Sequence, residues 1–292
     1  MSEASGTWPR SWRSRRAVRL RTQVVTYAVL GFGTAIILVP FFWMLSTSLK
    51  TNQDIYVFPP QWIPDPARFA NYSDVMSLLP FWTYARNSLI IVASVVFGTV
   101  LSSSFTAYGF ARLHAPGRDV IFIVVLATLM LPTTVTLVPL YIGFNKIGWV
   151  NTFWPLIAPA FFGTPFYIFL LRQFYLTIPR DLEDAARLDG ASPYRIWWDV
   201  FLPLSRPALA TVAVFTFFIT YNDFFGPLIY LTDDSKRTLA VALSFFTGSP
   251  DAGPQMNYLM AMTLLITIPS LVVFLIAQRH FVRSIVTTGI KG

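Results

Sequence analysis

Six apolar stretches long enough to cross a bilayer constrain this chain more than any other feature. A hydrocarbon core about 30 Å thick needs a helix of about 20 apolar residues. The stretches run over 24–45, 85–110, 120–141, 153–174, 207–231 and 258–281. In lipid every backbone N–H and C=O must be satisfied within the segment, so spans of this kind are helices. Prolines inside them (Pro132, Pro159, Pro165, Pro227 and Pro269) would break soluble helices but are tolerated where neighbouring helices re-satisfy the freed groups. The reading is an all-α, polytopic membrane protein with six transmembrane helices.

Composition supports this. Only 12% of residues are charged, about half the share of an ordinary soluble domain. Cysteine is absent, which excludes a disulfide framework, a thiol nucleophile and a Cys-ligated metal. The formal net charge of +8 raises the question of nucleic acid, and the position of the charges answers it. Six spans leave both termini on one side. Of the 22 Lys and Arg, all but Lys50, Arg68, Arg86, Lys146, Lys236 and Arg237 fall on that side. The positive-inside rule then makes it cytoplasmic. Arg10, Arg13, Arg15, Arg16, Arg19 and Arg21 read as a topology anchor touching anionic membrane lipid, with no nucleic-acid partner. The first span is too long for a signal peptide, and no small-residue cleavage site follows it.

The organisation expected is a basic cytoplasmic segment at 1–23, a six-span domain at 24–281 and a cytoplasmic tail at 282–292. The outer segment 46–84 is proline-broken and too short for a separate domain. Trp197 and Trp198 read as interfacial anchors, and Phe215, Phe217 and Phe218 as helix or lipid packing.

No phosphate-binding G-x-x-x-x-G-K-[ST] loop and no G-x-S-x-G elbow occur. His114 and His280 have no ligand-like spacing. The expectation is a chain with no catalytic residue, no metal site and no cofactor of its own.

The cytoplasmic loop at 175–206 is the informative segment. From Pro179 it reads Arg180-Asp181-Leu182-Glu183-Asp184-Ala185-Ala186-Arg187-Leu188-Asp189-Gly190. Pro179 suits a first helical turn. Asp181, Glu183 and Asp184 sit where the positive helix end favours anions, and Gly190 suits a left-handed stop. Ser192-Pro193 then starts a second helical piece that runs to Leu202-Pro203.

This segment resembles the EAA loop of bacterial ABC importer permeases, whose pattern is roughly E-A-A-x3-G-x9-I-x-L-P. Asp184-Ala185-Ala186 precede Gly190, and Val200-Phe201-Leu202-Pro203 follow at the matching distance. Asp184 stands for the usual Glu and Val200 for Ile. Elsewhere the chain is similar to the carbohydrate-uptake branch of that family, of the maltose-transporter MalG-like type. The likeness rests on Ser48-Leu49-Lys50, Pro59, Trp62-Ile63-Pro64, Asn71-Tyr72, Asn87-Ser88-Leu89, Ala107-Tyr108-Gly109-Phe110-Ala111-Arg112, Asn222-Asp223-Phe224 with Pro227-Leu228, and the tail Gly289-Ile290-Lys291-Gly292.

The resemblance implies a type I ABC importer permease fold in a bacterial or archaeal plasma membrane. It implies a second six-span permease, two ATPase subunits that bind ATP and Mg, and an extracytoplasmic solute-binding protein as partners. It implies ATPase coupling through Glu183, Asp184, Ala185, Ala186, Arg187, Asp189 and Gly190. Asp223 is an acid well inside a span, and with Tyr221 and Asn222 it makes a polar, aromatic patch. The patch suits either a translocation pathway for a sugar or a helix-packing hydrogen bond. The competing function is a stand-alone secondary carrier for a small polar solute, against which the scarcity of intramembrane charge argues.

Overall fold

A computed structural model describes residues 11–248 and 254–288. Arg10 and the tail Gly289–Gly292 lie outside the described residues, and the side chains of Arg13, Arg15, Arg16 and His280 are likewise outside. Among the described residues the regular structure is helical throughout.

Helix α1 (Ser11–Ser48) is continuous and absorbs the second half of the basic segment. Its apolar length from Val18 onward is exposed on almost every side, and the body of the protein meets it through the last helix. A helix that is apolar all round belongs in lipid or against another membrane chain. After an outer loop come α2 (Ala70–Leu78) and α3 (Phe81–Arg112), the second span. Helix α3 is the axis of the molecule and packs against more elements than any other helix does.

The third predicted span is not one helix. α4 (Arg118–Ala127) runs through a 3-10 turn to Met130, and α5 (Thr133–Lys146) leaves at 102° to it. Pro132 removes an N–H donor and pushes Leu131 into extended backbone (φ −81°, ψ 116°). The fourth span combines α6 (Trp154–Ile157), a 3-10 turn to Phe162, the positive-φ Gly163 and α7 (Pro165–Leu176).

The loop segment 175–206 forms α8 (Arg180–Leu188), α9 (Pro193–Ile196), a π-helical turn at Trp197–Phe201 and α10 (Leu202–Leu204). The chain then bends by 80° into α11 (Arg206–Tyr221). The fifth predicted span, 207–231, also breaks: α12 (Phe225–Tyr230) restarts after Asn222-Asp223-Phe224. The ring of Pro227 clashes with a helical carbonyl four residues back, at Asp223, so the helix stops there. A short α13 (Leu239–Ala242) precedes α14 (Met256–Thr288). Four helices are long and apolar enough to cross a membrane, and the number reaches six only if each sharply bent pair, Arg118–Met130 with Thr134–Lys146 and Pro193–Leu204 with Arg206–Tyr221, is one span.

One apolar cluster fills the half of the molecule that carries α8, where Tyr108, Leu171, Tyr175, Trp197, Phe201 and Val212 interlock. A second, with Val75, Tyr84, Tyr221, Ala242 and Met262, fills the other half. The outer loops are tied down by side-chain amides. Asn71 Nδ2 donates to the carbonyls of Ser48 and Lys50, both at 2.8 Å. Asn87 Nδ2 donates to those of Ser235 (2.9 Å) and Arg237 (3.0 Å). Lys50 is buried, with its amine donating to the Gln61 carbonyl and lying 4.3 Å from the Trp43 ring centre. Burial lowers its pKa below the ordinary 10.5, against an opposing pull from Asp54.

Candidate functional site

Helix α8 starts one residue later than Pro179 implies. Pro179 is the extended cap residue and Arg180 the first helical one. Gly190 sits at φ +79°. Its N–H donates to the Arg187 carbonyl (3.0 Å) and the Ala191 N–H to the Ala186 carbonyl (3.0 Å), so the helix end is closed by a left-handed residue.

At about 100° per residue, Asp181, Asp184, Ala185 and Leu188 form one stripe. All are exposed, and Leu188 is 90% exposed. Asp189 and Arg187 are exposed beside it. A fully exposed leucine among carboxylates on a nine-residue helix is a surface suited to a partner with an apolar cleft and cationic rim. Glu183 and Ala186 lie on the opposite side, Ala186 half-buried and Glu183 4% exposed. The sequence-predicted coupling residues therefore divide between two faces.

What holds the inner face is Arg112, at the end of α3. Its Nη1 lies 3.8 Å from Glu183 Oε2, and Arg187 Nη2 donates to Glu183 Oε1 at 2.6 Å. Arg112 Nη2 also donates to the carbonyls of Tyr175 and Ile178, and its guanidinium lies 5.1 Å from the Phe201 ring centre. Both Arg112 and Glu183 are buried. One guanidinium thus joins the ends of α3 and α7 to the first turn of α8. A charge buried this deeply is tolerable only when paired and hydrogen-bonded. Sequence reasoning passed over Arg112 as a functional residue. The available signal was a cation at the last position of the second span, on the same side as the loop after the fourth span that holds the acid.

A second footing lies beneath the next piece of the loop. Trp197 is 2% exposed, which corrects its reading as an interfacial anchor. Its Nε1 donates to Ser104 Oγ at 3.0 Å, and Ser104 Oγ shares a 2.6 Å hydrogen bond with the Tyr175 hydroxyl. The indole packs edge-on to Phe105, with ring centres 5.1 Å apart. Trp198, half-exposed at 50%, remains on the surface.

Of the other predicted patch, Tyr221 and Asp223 line one cavity, while Asn222 is exposed. Tyr221 is buried, stacks on Phe217 (5.3 Å) and donates its hydroxyl to the Ile266 carbonyl (3.0 Å). Asn222 is exposed, its Nδ2 donating to the Phe218 carbonyl at 2.8 Å. Asp223 is half-buried at the break between α11 and α12, and its Oδ1 accepts the Gly226 N–H at 3.1 Å. It borders a cavity of about 110 Å³ lined also by Ser88, Thr220, Pro227 and Thr238. Thr238 Oγ1 is buried there with no partner among the described residues. Phe217 packs in this region as expected, and among the described residues no three His, Asp or Glu gather closely enough to hold a metal.

Comparison with known proteins adds to this picture. Residues 94–287 match the model of a family described as the inner membrane component of binding-protein-dependent transport systems. The chain is 32% identical over 266 residues to the diacetylchitobiose uptake system permease protein NgcG of Streptomyces coelicolor, covering 91% of this chain and 88% of that one. It is 30% identical over 269 residues to the sn-glycerol-3-phosphate transport system permease protein UgpE of Pectobacterium atrosepticum, covering 90% and 95%. Its fold matches a chain in the crystal structure of a bacterial ABC transporter involved in import of the acidic polysaccharide alginate. There the TM-score is 0.79 at 22% identity, over 95% of this chain and 100% of that one.

Proposed function

As the chain belongs to the family of inner membrane components of binding-protein-dependent transport systems and is a permease subunit of an ABC importer, we propose that its cargo is a sugar or sugar-like solute. In this reading it lines the transmembrane pathway together with a second six-span permease. Two ATPase subunits bind below, and an extracytoplasmic binding protein delivers the solute from the other side. Both termini are cytoplasmic. ATP and Mg bind in the ATPase subunits, because this chain has no phosphate loop of its own.

The observation that carries the reading is the two-faced helix α8. Its outer stripe of Asp181, Asp184, Ala185 and Leu188 is free to enter a cleft, while its inner face is seated on the transmembrane body. Asp184, Ala185, Arg187 and Asp189 present contacts to the ATPase. Ala186 permits close approach of the body, and Gly190 ends the helix so that the chain turns back to the membrane. When the ATPase dimer closes on ATP, the pull on this stripe is delivered to the spans as a rigid-body displacement.

Asp223 lines the pathway in this proposal, with Asn222 beside it and Tyr221 fixing the local backbone. A carboxylate bordering a cavity of mixed polar and apolar lining is suited to a sugar, whose hydroxyl hydrogen bonds it accepts.

The test is purification of the tagged chain from its own host in mild detergent, with mass spectrometry and an ATP-hydrolysis assay. The expected result is a second six-span chain, a phosphate-loop ATPase and Mg-dependent hydrolysis. The binding protein is then screened against sugars. A stable preparation of this chain alone that transports solute without ATPase would overturn the reading and leave a stand-alone carrier.

A further inference from the structure

We infer that Arg112 is a positioning residue that clamps the docking helix to the second span through Glu183, so that α8 and the cytoplasmic end of α3 move as one piece. The inference rests on the coupling reading above and assigns its inner face a task.

A lever transmits force only if it cannot swivel. Helix α8 is nine residues long and is joined to the body by the extended Pro179 on one side and the left-handed Gly190 on the other. Glu183 is the one residue of α8 that is buried. Its carboxylate is held between Arg187 of the same helix and Arg112 of α3.

Arg112 does not act on Glu183 alone. By gripping the carbonyls of Tyr175 and Ile178 it also fixes the end of the fourth span and the linker into α8. Sliding α8 off this seat would leave the buried Arg112 without its counter-charge, which favours the seated arrangement over neighbouring ones. Breaking a buried ion pair leaves an uncompensated charge, which penalises other registers, and register is what a lever needs. Glu183 thus belongs to the footing, while Asp184 next to it belongs to the docking stripe.

The chain has no cysteine, so spin labels go where they are placed. Labels at His114→Cys and Arg180→Cys, both exposed and off the docking stripe, report the distance between the α3 end and α8. In the complex reconstituted in lipid discs, a narrow distance distribution is expected, unchanged between nucleotide-free and ATP–Mg–vanadate states. Arg112→Gln and Glu183→Gln each broaden it and reduce the coupling of ATP hydrolysis to transport by about tenfold. The double variant is no worse than Arg112→Gln alone, because both remove the same contact. Arg112→Lys, which keeps the charge, restores part of the coupling. A distance that changes with nucleotide in the unmodified background would overturn the clamp, as would additive effects of the two glutamine variants. If no ATPase accompanies the chain, the functional reading fails instead. The clamp is then still judged by whether Arg112→Gln broadens the distribution in the chain alone.

Discussion

The indole N–H of Trp197 is bonded to Ser104, well inside the second span, at 3.0 Å. The loop between the fourth and fifth spans therefore hangs from the membrane body by a buried aromatic as well as by an ion pair. Trp197→Phe keeps the ring packing against Phe105 and Tyr194 but loses the donor. Ser104 retains Tyr175 as partner, so the expected cost is about 1 kcal/mol. Trp197→Ala also opens a cavity and should cost about 3–5 kcal/mol. Thermal unfolding of the purified chain in detergent measures both. Equal midpoints for the two variants would mean that the indole is not packed as described.

Gly190 and Asp184 separate the geometry of the docking helix from its chemistry. Ala at φ +79° carries a backbone penalty of about 1–2 kcal/mol, which the fold should absorb with modest loss of uptake. Gly190→Pro also removes the N–H that bonds to Arg187 and should abolish uptake while membrane expression persists. Asp184→Lys inverts the charge on the exposed stripe without touching the core. It should abolish uptake and ATPase association yet leave solute capture by the binding protein intact. Normal uptake by both variants would remove α8 as the coupling element.

Gly98 permits close approach of Phe161 to α3. A Cβ built at Gly98 would fall 2.7 Å from the Phe161 ring. Gly98→Val should therefore destabilise by about 1–3 kcal/mol through overpacking. Adding Phe161→Leu should recover part of that loss, because the smaller side chain leaves room. The midpoint of thermal unfolding for the single and double variants decides this, and the absence of recovery would place the strain elsewhere.

Lys50 gives the outer loop a pH dependence. Its folded pKa lies below the ordinary 10.5, first because of burial. Between those two values the unfolded chain binds more protons than the folded one, so stability rises with pH across the window and levels off above 10.5. Lys50→Met should flatten that rise. Unfolding midpoints of the two proteins, followed from neutral pH upward, report the difference. Parallel curves would show that Lys50 does not titrate with a shifted pKa.

The hydropathy pattern picked out apolar runs that overlap four membrane-length helices and two bent helix pairs, because the length of an apolar run is fixed by bilayer thickness and needs no tertiary information. It did not show that the third and fifth spans break. Pro132 and Pro227 were visible, but proline inside a lipid-facing run is ambiguous. Neighbouring helices, which the sequence does not display, decide whether the freed carbonyls are re-satisfied. The docking helix was legible to within one residue at its start, since proline, acids and glycine each have a local preference there. Its seating was not. Trp197 reads as an anchor until Ser104 is known to lie beneath it, and the partnership of Arg112 with Glu183 crosses two spans. Asn71 and Asn87 carry a similar lesson. Both stood in segments picked out by resemblance, yet their task of holding distant loop carbonyls appears only when those loops meet.

Asp223 poses the sharpest question about cargo. One carboxylate oxygen caps α12 through the Gly226 N–H, and the residue borders a cavity with the unpartnered Thr238 hydroxyl. Asp223→Asn preserves an oxygen for the Gly226 N–H and removes the charge, so the fold and the break between α11 and α12 should persist. If the carboxylate accepts hydrogen bonds from passing hydroxyls, transport should slow by about tenfold, the value of one charge-assisted hydrogen bond. Binding of the sugar to its extracytoplasmic carrier should be unchanged. Asp223→Ala loses the cap as well and should lower thermal stability by about 1 kcal/mol in addition. The measurement is sugar-stimulated ATP hydrolysis by the reconstituted complex, using the sugar identified with the binding protein, beside unfolding midpoints for both variants. Slower transport in Asp223→Asn with an unchanged midpoint places the charge in the pathway. Unchanged transport in Asp223→Asn with a lowered midpoint in Asp223→Ala makes the residue a helix cap, and the pathway assignment is then withdrawn.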